Sequence, residues 1–249
     1  MKNDSNKPRT VGIICDVMRD NVKRLNEDID YVFIEQHLHD TPEKMKAKLS
    51  EELDKVDDSY DLILMGYGLC SNGVVGLKSK KQRLVIPKVD DCISLFLGSR
   101  ERYIEEFRKD PATYYLCRGW IEYGGDPYRA YLVYTQQYEG IPRKWFRAEE
   151  RYGRHYDEAT ARFVITEMMK NYDRVVLIDN DDIKPQYRDY ALRMVNFLSE
   201  LLGREIEYKE MRGSDKFISQ LLDGSWRDGN FIVYEPGQEI KASDFMDEL

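Results

Sequence analysis

Tyr60-Asp61-Leu62-Ile63-Leu64-Met65-Gly66-Tyr67-Gly68-Leu69-Cys70-Ser71-Asn72-Gly73 is the stretch on which the fold turns. Leu62 to Met65 is a short apolar run, too brief for a buried helix, and reads as a strand with both faces covered. It breaks into a segment, 66–77, that holds four glycines in a strand-to-helix turn. Glycine permits left-handed dihedrals and close backbone approach, so such a turn can surround a ligand or simply pack tightly. It matches neither G-x-x-x-x-G-K-[ST] nor G-x-G-x-x-G, which argues against a phosphate-binding loop.

The same rhythm extends outward. Val11–Cys15, Tyr31–Ile34, Leu84–Ile86 and Tyr114–Cys117 are further strand candidates in the first half. Thr41 and Pro42 open a helix, and Met45, Leu49, Leu53 and Val56 mark its buried face. In the second half, helical patterns at 158–172, 187–202 and 214–222 alternate with strand candidates at 174–178, 206–208 and 231–234. Ser214 is the expected cap of the third helix. Strands alternating with helices predict an α/β fold: two Rossmann-like lobes, or one long doubly wound, mainly parallel sheet, with helices on both faces. The division expected is 10–122 for a first lobe carrying the cysteines, 123–155 for an irregular aromatic-rich connection, and 156–240 for a second lobe. Tyr131–Tyr134 is the one strand-like piece of that connection.

With 249 residues the chain is long enough to bury a core unaided, and four cysteines are too few for a disulfide scaffold. The net charge of −8 argues against general nucleic-acid binding. The first apolar run, Val11 to Ile14, is shorter than the roughly 7–15 residues of a signal peptide or the roughly 20 of a membrane span. A cytoplasmic protein without membrane or nucleic-acid partners is expected, in which cysteines mean metal, redox chemistry, catalysis or core packing.

Cys15, Cys70, Cys92 and Cys117 all fall at or just past the carboxyl end of a strand candidate. Open α/β sheets bind ligands beyond those ends, so residues distant in sequence can converge there. Thiolates suit iron–sulfur clusters or zinc, although the spacing shows no Cys-x-x-Cys signature. Three thiolates on a [4Fe–4S] cluster would leave one iron open for substrate. Cys92 follows Asp91, a cap candidate, so its thiol would sit at a helix start, where it could also serve alone as a nucleophile. Lys88 could neutralise a cluster or an anionic substrate. His37-Leu38-His39 is a second metal or substrate-contact candidate, weighed against an exposed turn. The acid run Asp179-Asn180-Asp181-Asp182 is weighed in the same way as a magnesium site against a polar loop.

Gly66-Tyr67-Gly68-Leu69-Cys70-Ser71-Asn72-Gly73, Ile86-Pro87-Lys88-Val89-Asp90-Asp91-Cys92-Ile93, Leu97-Gly98-Ser99 and Tyr114-Tyr115-Leu116-Cys117-Arg118-Gly119-Trp120 together resemble the bacterial and archaeal family known as domain of unknown function 1638, over about residues 10–237. The resemblance implies ligand positions at Cys15, Cys70 and Cys92. Cys117 stands where the family has threonine, which favours three ligands over four. Lys88 and Asp90 replace an arginine and a histidine of the family's second loop. Some members are encoded near corrinoid-dependent methyltransferases, which implies at most an association with one-carbon or methylamine metabolism.

The resulting expectation is a metalloprotein in which Cys15, Cys70 and Cys92 hold a [4Fe–4S] cluster, alternatively zinc, acting on a small anionic or sulfur-containing substrate. Its chemistry would be that of an iron–sulfur lyase, desulfidase or transferase. Tyr67, Lys88 and Asp91 would be acid–base or charge groups, with Gly66, Gly68, Asn72 and Gly73 against the cofactor. The alternative is a non-catalytic accessory or corrinoid-binding protein that docks a corrinoid protein or methyltransferase through Trp120, Trp145 and Phe146.

Overall fold

The computed structural model describes residues 8–138, 140–146, 155–226 and 229–246. The fold is mixed α/β, with one sheet of five strands and another of three, so one continuous sheet is excluded. The two sheets belong to two compact units: Met1–Arg100 with Asp215–Leu249, and Glu101–Ser214. The second unit is thus inserted into the first, rather than following it across a 123–155 connection. The strand at 113–116 falls in the second unit, and the strand at 231–234 returns to the first.

The first unit contains β1 (Thr10–Cys15), α1 (Arg19–Leu25), β2 (Asp30–Ile34), α2 (Pro42–Lys55), β3 (Leu62–Gly66), β4 (Arg83–Pro87), α3 (Cys92–Leu97), α9 (Lys216–Asp223) and β8 (Phe231–Tyr234). Its sheet order is β2-β1-β3-β4-β8, parallel except for β8, which runs antiparallel to β4. From β1 the chain crosses to β2 on one side, while β3 and β4 build outward on the other. The carboxyl ends of β1 and β3 therefore flank a topological switch point, where such sheets open a crevice. The central strands are apolar throughout because helices cover both faces. One layer consists of α1, α3 and α9, with α9 packed on β3 and β4. Right-handed crossover places α2 on the other face, where it buries Met45, Leu49 and Leu53. Thr41 takes the cap position of α2, but its side chain makes no capping bond.

The expected helix after β3 does not form. Residues 70–76 make a compact turn instead, with Cys70, Ser71 and Asn72 at φ of 47°, 54° and 66°. Three successive side-chain-bearing residues in the left-handed region cost about 1 kcal/mol or more each, so the surroundings must hold them there. The Gly73 amide bonds the Cys70 carbonyl at 3.0 Å, and Val75 bonds Asn72 at 3.1 Å. The segment after β8 clamps the turn from below, through Gly76 to the Ile240 carbonyl at 2.8 Å and Ile240 to the Leu77 carbonyl at 2.9 Å.

The second unit contains α4 (Arg100–Lys109, whose first residue ends the first unit), β5 (Thr113–Leu116), α5 (Arg118–Glu122), α6 (Pro127–Thr135), α7 (Glu158–Met169), β6 (Arg174–Asp179), α8 (Pro185–Leu202) and β7 (Glu207–Arg212). Its sheet is parallel, in the order β5-β6-β7. Tyr131–Tyr134, expected as strand-like, lies inside α6, started by Asp126 capping Arg129 and by Pro127 at the first turn. In the first unit, α9 is preceded by Asp215 rather than Ser214 at the cap position. Asp215 is held there by Asn21 and Arg24 of α1.

Gly68 lies directly against the backbone of a neighbouring loop. A β-carbon there would stand 2.7 Å from the Val89 carbonyl oxygen and 3.0 Å from the Asp91 nitrogen, neither of which can swing away. Gly68→Ala is expected to lower stability by about 1–3 kcal/mol, as overpacking against fixed atoms does. Gly203→Ala, which meets nothing within 4 Å but has φ of 63°, should cost only about 1 kcal/mol. Urea unfolding midpoints of the two variants provide the check.

Candidate metal centre

The register of the sheet builds the site. Ile14 pairs with Gly66 across β1 and β3, so Cys15 and Tyr67 leave the sheet side by side at the next position. Cys15 also pairs with Ile34 of β2, beyond which a 3-10 turn, Gln36–Asp40, carries His39. The turn after β3 is fastened to the loop after β4 by two backbone bonds, Leu69 to the Val89 carbonyl at 2.8 Å and Cys70 to the Asp90 carbonyl at 2.9 Å. Asp91 caps α3 through the Ile93 amide at 2.9 Å, which places Cys92 at the first helical position. Four connections thus bring Cys15, His39, Tyr67, Cys70 and Cys92 to one edge.

Tyr67 ties these groups together. It is 1% exposed, and its hydroxyl is buried without a hydrogen-bond partner among the described residues. Burial pushes its ionisation well above the usual phenol range, and Cys15, Cys70, Asp16 and Cys92 act on it electrostatically in the same direction. Cys15, Cys70 and Cys92 are themselves buried, and none is in a disulfide. Burial raises the Cys15 thiol to about 12, against a smaller opposing effect of the Val17 amide. Burial likewise raises Cys70, reinforced by Cys15 and opposed by a hydrogen bond from the Gly68 backbone. These two thiols are neutral near pH 7. A bound cation would deprotonate them outright.

His39 completes the cluster. Its Nε2 lies 3.8 Å from the Cys15 sulfur. Its ring stacks on Tyr67, with centroids 6.1 Å apart and planes 19° from parallel. The sequence signal for it was the His-x-His spacing just past a strand; the side chain of His37 lies outside the described residues.

Other expected residues have different surroundings. Cβ atoms added at Gly66 and Gly73 would meet Ile14 and Met45, and one at Gly68 would meet the Val89 carbonyl, so the protein itself fills the space beside each of these glycines. Asn72 is exposed in its left-handed turn. Lys88 is half-buried just past β4, its amide bonded to the Asn230 carbonyl at 2.8 Å. Asp91 serves as the cap of α3 and also acts on Cys70. Among the described residues, no group of three or more His, Cys, Asp or Glu stands at the separations of a single bound ion.

In the second unit, Cys117 follows β5 and is buried. The acid run is answered by arginines: Asp179 by Arg188 at 3.6 Å, Asp181 by Arg212 at 2.5 Å and Asp182 by Arg118 at 3.9 Å. This is the polar loop rather than the magnesium arrangement. Trp120, Trp145 and Phe146, expected as a contact surface, are core residues; Trp145 stacks on Tyr187. Among the described residues no helix is long and apolar enough to cross a membrane.

A family model described as "Protein of unknown function (DUF1638)" matches residues 33–222, well over half of the chain, and the chain belongs to that family. No curated protein and no solved structure matches it.

The raised Cys15 thiol makes stability depend on pH. An unfolded thiol titrates near about 8.5, so between about pH 9 and about pH 12 the unfolded chain releases a proton that the folded chain keeps. Stability is therefore full below about pH 8 and falls as pH rises toward about 12, by up to about 1.4 kcal/mol per pH unit. Cys15→Ala should flatten that fall. Urea midpoints of both proteins at about pH 8 and about pH 10.5 check it; identical slopes would refute the assignment.

Proposed function

We propose that the first unit is a metal-dependent enzyme domain in which Cys15, Cys70 and Cys92 hold a metal centre at the β1/β3 crevice. The centre acts on a small anionic or sulfur-containing substrate. One observation carries this reading: the Tyr67 phenol is a buried donor with no acceptor among the described residues, and three thiols act on it electrostatically. An unmet buried donor costs about 1–3 kcal/mol, a cost that is removed when a bound group accepts its hydrogen bond. The three soft donors suit a [4Fe–4S] cluster with an open iron, or a single zinc-type ion. The second form is favoured by the closeness of Cys15 and His39.

When bound, such a centre supplies a Lewis acid. The protein's own residues then have separable roles. Cys15, Cys70 and Cys92 release protons and ligate. Tyr67 donates its hydroxyl hydrogen to the bound group or substrate. The zipped loops hold Cys70 and Cys92 in fixed relation, and Lys88 offers a positive charge to an anion. The chemistry is that of a lyase, desulfidase or transferase, carried out without nucleic acid and in a reducing compartment such as the cytoplasm. A corrinoid-binding accessory role is less well supported, because the aromatic residues that would provide its surface are buried.

Anaerobic purification followed by metal and acid-labile sulfide analysis tests the centre. About four iron and four sulfide per chain identify the cluster, and about one zinc per chain the single ion. No metal after anaerobic reconstitution refutes both. Tyr67→Phe separates the phenol's role: it should raise the stability of the metal-free protein by about 1 kcal/mol or more, since the unmet donor is gone. The same change should reduce turnover of the loaded enzyme. A destabilised metal-free variant would show that the hydroxyl has a partner.

A further inference from the structure

β2 is an outer strand of the first unit's sheet, paired with β1 on one side and with no strand on the other. We propose that this edge is an interface: β2 pairs antiparallel with β2 of a second copy of this chain, about a two-fold axis at Val32, and joins the two five-stranded sheets into one. The proposal does not depend on the metal-centre reading.

Edge strands are normally blunted by charges, proline or a bulge, because their open backbone invites another strand. β7, an edge of the second unit's sheet, is blunted in this way, with Glu207, Lys209, Glu210 and Arg212 among its six residues. At the other edge of the first unit's sheet, β8 is fastened to the segment that follows it, Tyr234 donating to Asp244 at 2.7 Å. β2 has neither device. Asp30-Tyr31-Val32-Phe33-Ile34 holds no proline, its register with β1 is unbroken over five pairs, and its one charged residue is the first. Tyr31, Val32 and Phe33 are only half-buried. Grooves flank the strand on both faces, one of about 540 Å³ beside α1 and one of about 190 Å³ beside α2.

Charge decides the occupant. The groove beside α1 has a basic and an acidic end. Arg19 and Lys23 stand over the Phe33 ring at 4.0 and 5.5 Å, toward the carboxyl end of β2. Glu27 and Asp30 line the other end, where the chain enters the strand. Lys23 and Glu27 are exposed, and neither has an ion-pair partner among the described residues. An antiparallel two-fold exchanges the ends, so Lys23 of each copy meets Glu27 of the other, twice per dimer. An added peptide of one charge sign would instead meet its own sign at one end. Pairing about Val32 also sets Tyr31 opposite Phe33 in both directions, an aromatic cross-strand pair that stabilises antiparallel strands. Such self-complementarity is what a two-fold interface requires.

Sedimentation velocity of the full-length protein across a dilution series tests the pairing, at low ionic strength, where exposed charges are least screened. The wild type is expected to form a dimer that dissociates on dilution, with amide exchange over residues 30–34 slower in the dimer. Lys23→Glu and Glu27→Lys each bring like charges together at both contacts and should weaken the dimer at least about tenfold. Both side chains are exposed, so circular dichroism of each variant should match the wild type. An equimolar mixture of the two variants should recover wild-type affinity as a mixed dimer, since every contact again joins opposite charges. A wild type that stays monomeric throughout overturns the proposal. So does a dimer that neither substitution weakens, or a pair of variants that mixing fails to rescue.

Discussion

Two backbone hydrogen bonds, Leu69 to Val89 and Cys70 to Asp90, join the loop after β3 to the loop after β4, and the site depends on them. They form only because Gly68 lets one backbone lie directly against another. The same bonds help hold Cys70, Ser71 and Asn72 in left-handed conformations that would otherwise be abandoned. From this contact the rest follows in order. Cys70 is fixed beside the start of α3, Asp91 caps that helix, and Cys92 takes its first position. Sheet register adds Cys15 and Tyr67 from the neighbouring strands. Backbone geometry thus brings three cysteines distant in sequence to the carboxyl edge of one sheet.

The arrangement costs stability at identifiable atoms. A phenol is buried without an acceptor among the described residues, and the thiols of Cys15 and Cys70 are held in a medium that disfavours their ionised forms. Three non-glycine residues are strained in one turn. Each is a local violation of what a well-packed core prefers, and all three kinds occur at the carboxyl edge of the first unit's sheet. Violations of this sort concentrate where a protein must bind or react. The second unit holds such features too: Trp145 Nε1 is buried with no hydrogen-bond partner among the described residues, and Gln136 and Asp181 have φ of 58° and 65°. Its acid run is neutralised by arginines, and its aromatic residues fill its core.

The strands were legible in the sequence because buried parallel strands are short continuous apolar runs bounded by turn residues. Thr10–Cys15, Leu62–Gly66 and Arg174–Asp179 follow that pattern closely. The placement of Cys15, Cys70 and Cys92 at strand ends was legible for the same reason. Other features were hidden. Tyr131–Tyr134 is apolar and aromatic, and a run that short has the same appearance in a helix as in a strand. The insertion of residues 101–214 into the first unit is invisible locally, since α9 and β8 pair with partners more than a hundred residues away. The glycines of 66–73 signalled close approach, but not to what; the answer was Ile14, Met45 and the Val89 carbonyl. His39 was visible as a motif, yet its distance to Cys15 depends on β2 lying beside β1, which no spacing encodes.

The central claim is that Cys15, Cys70 and Cys92 surround a metal which accepts, directly or through its substrate, the hydrogen bond that Tyr67 leaves unused. The most direct test is anomalous scattering from crystals of the full chain grown and frozen without oxygen. The account predicts a strong metal peak within bonding distance of the three sulfurs, with the Tyr67 hydroxyl directed at the bound group. Sulfurs scattered among apolar side chains with no peak between them, and a Tyr67 hydroxyl bonded to the protein itself, would contradict it.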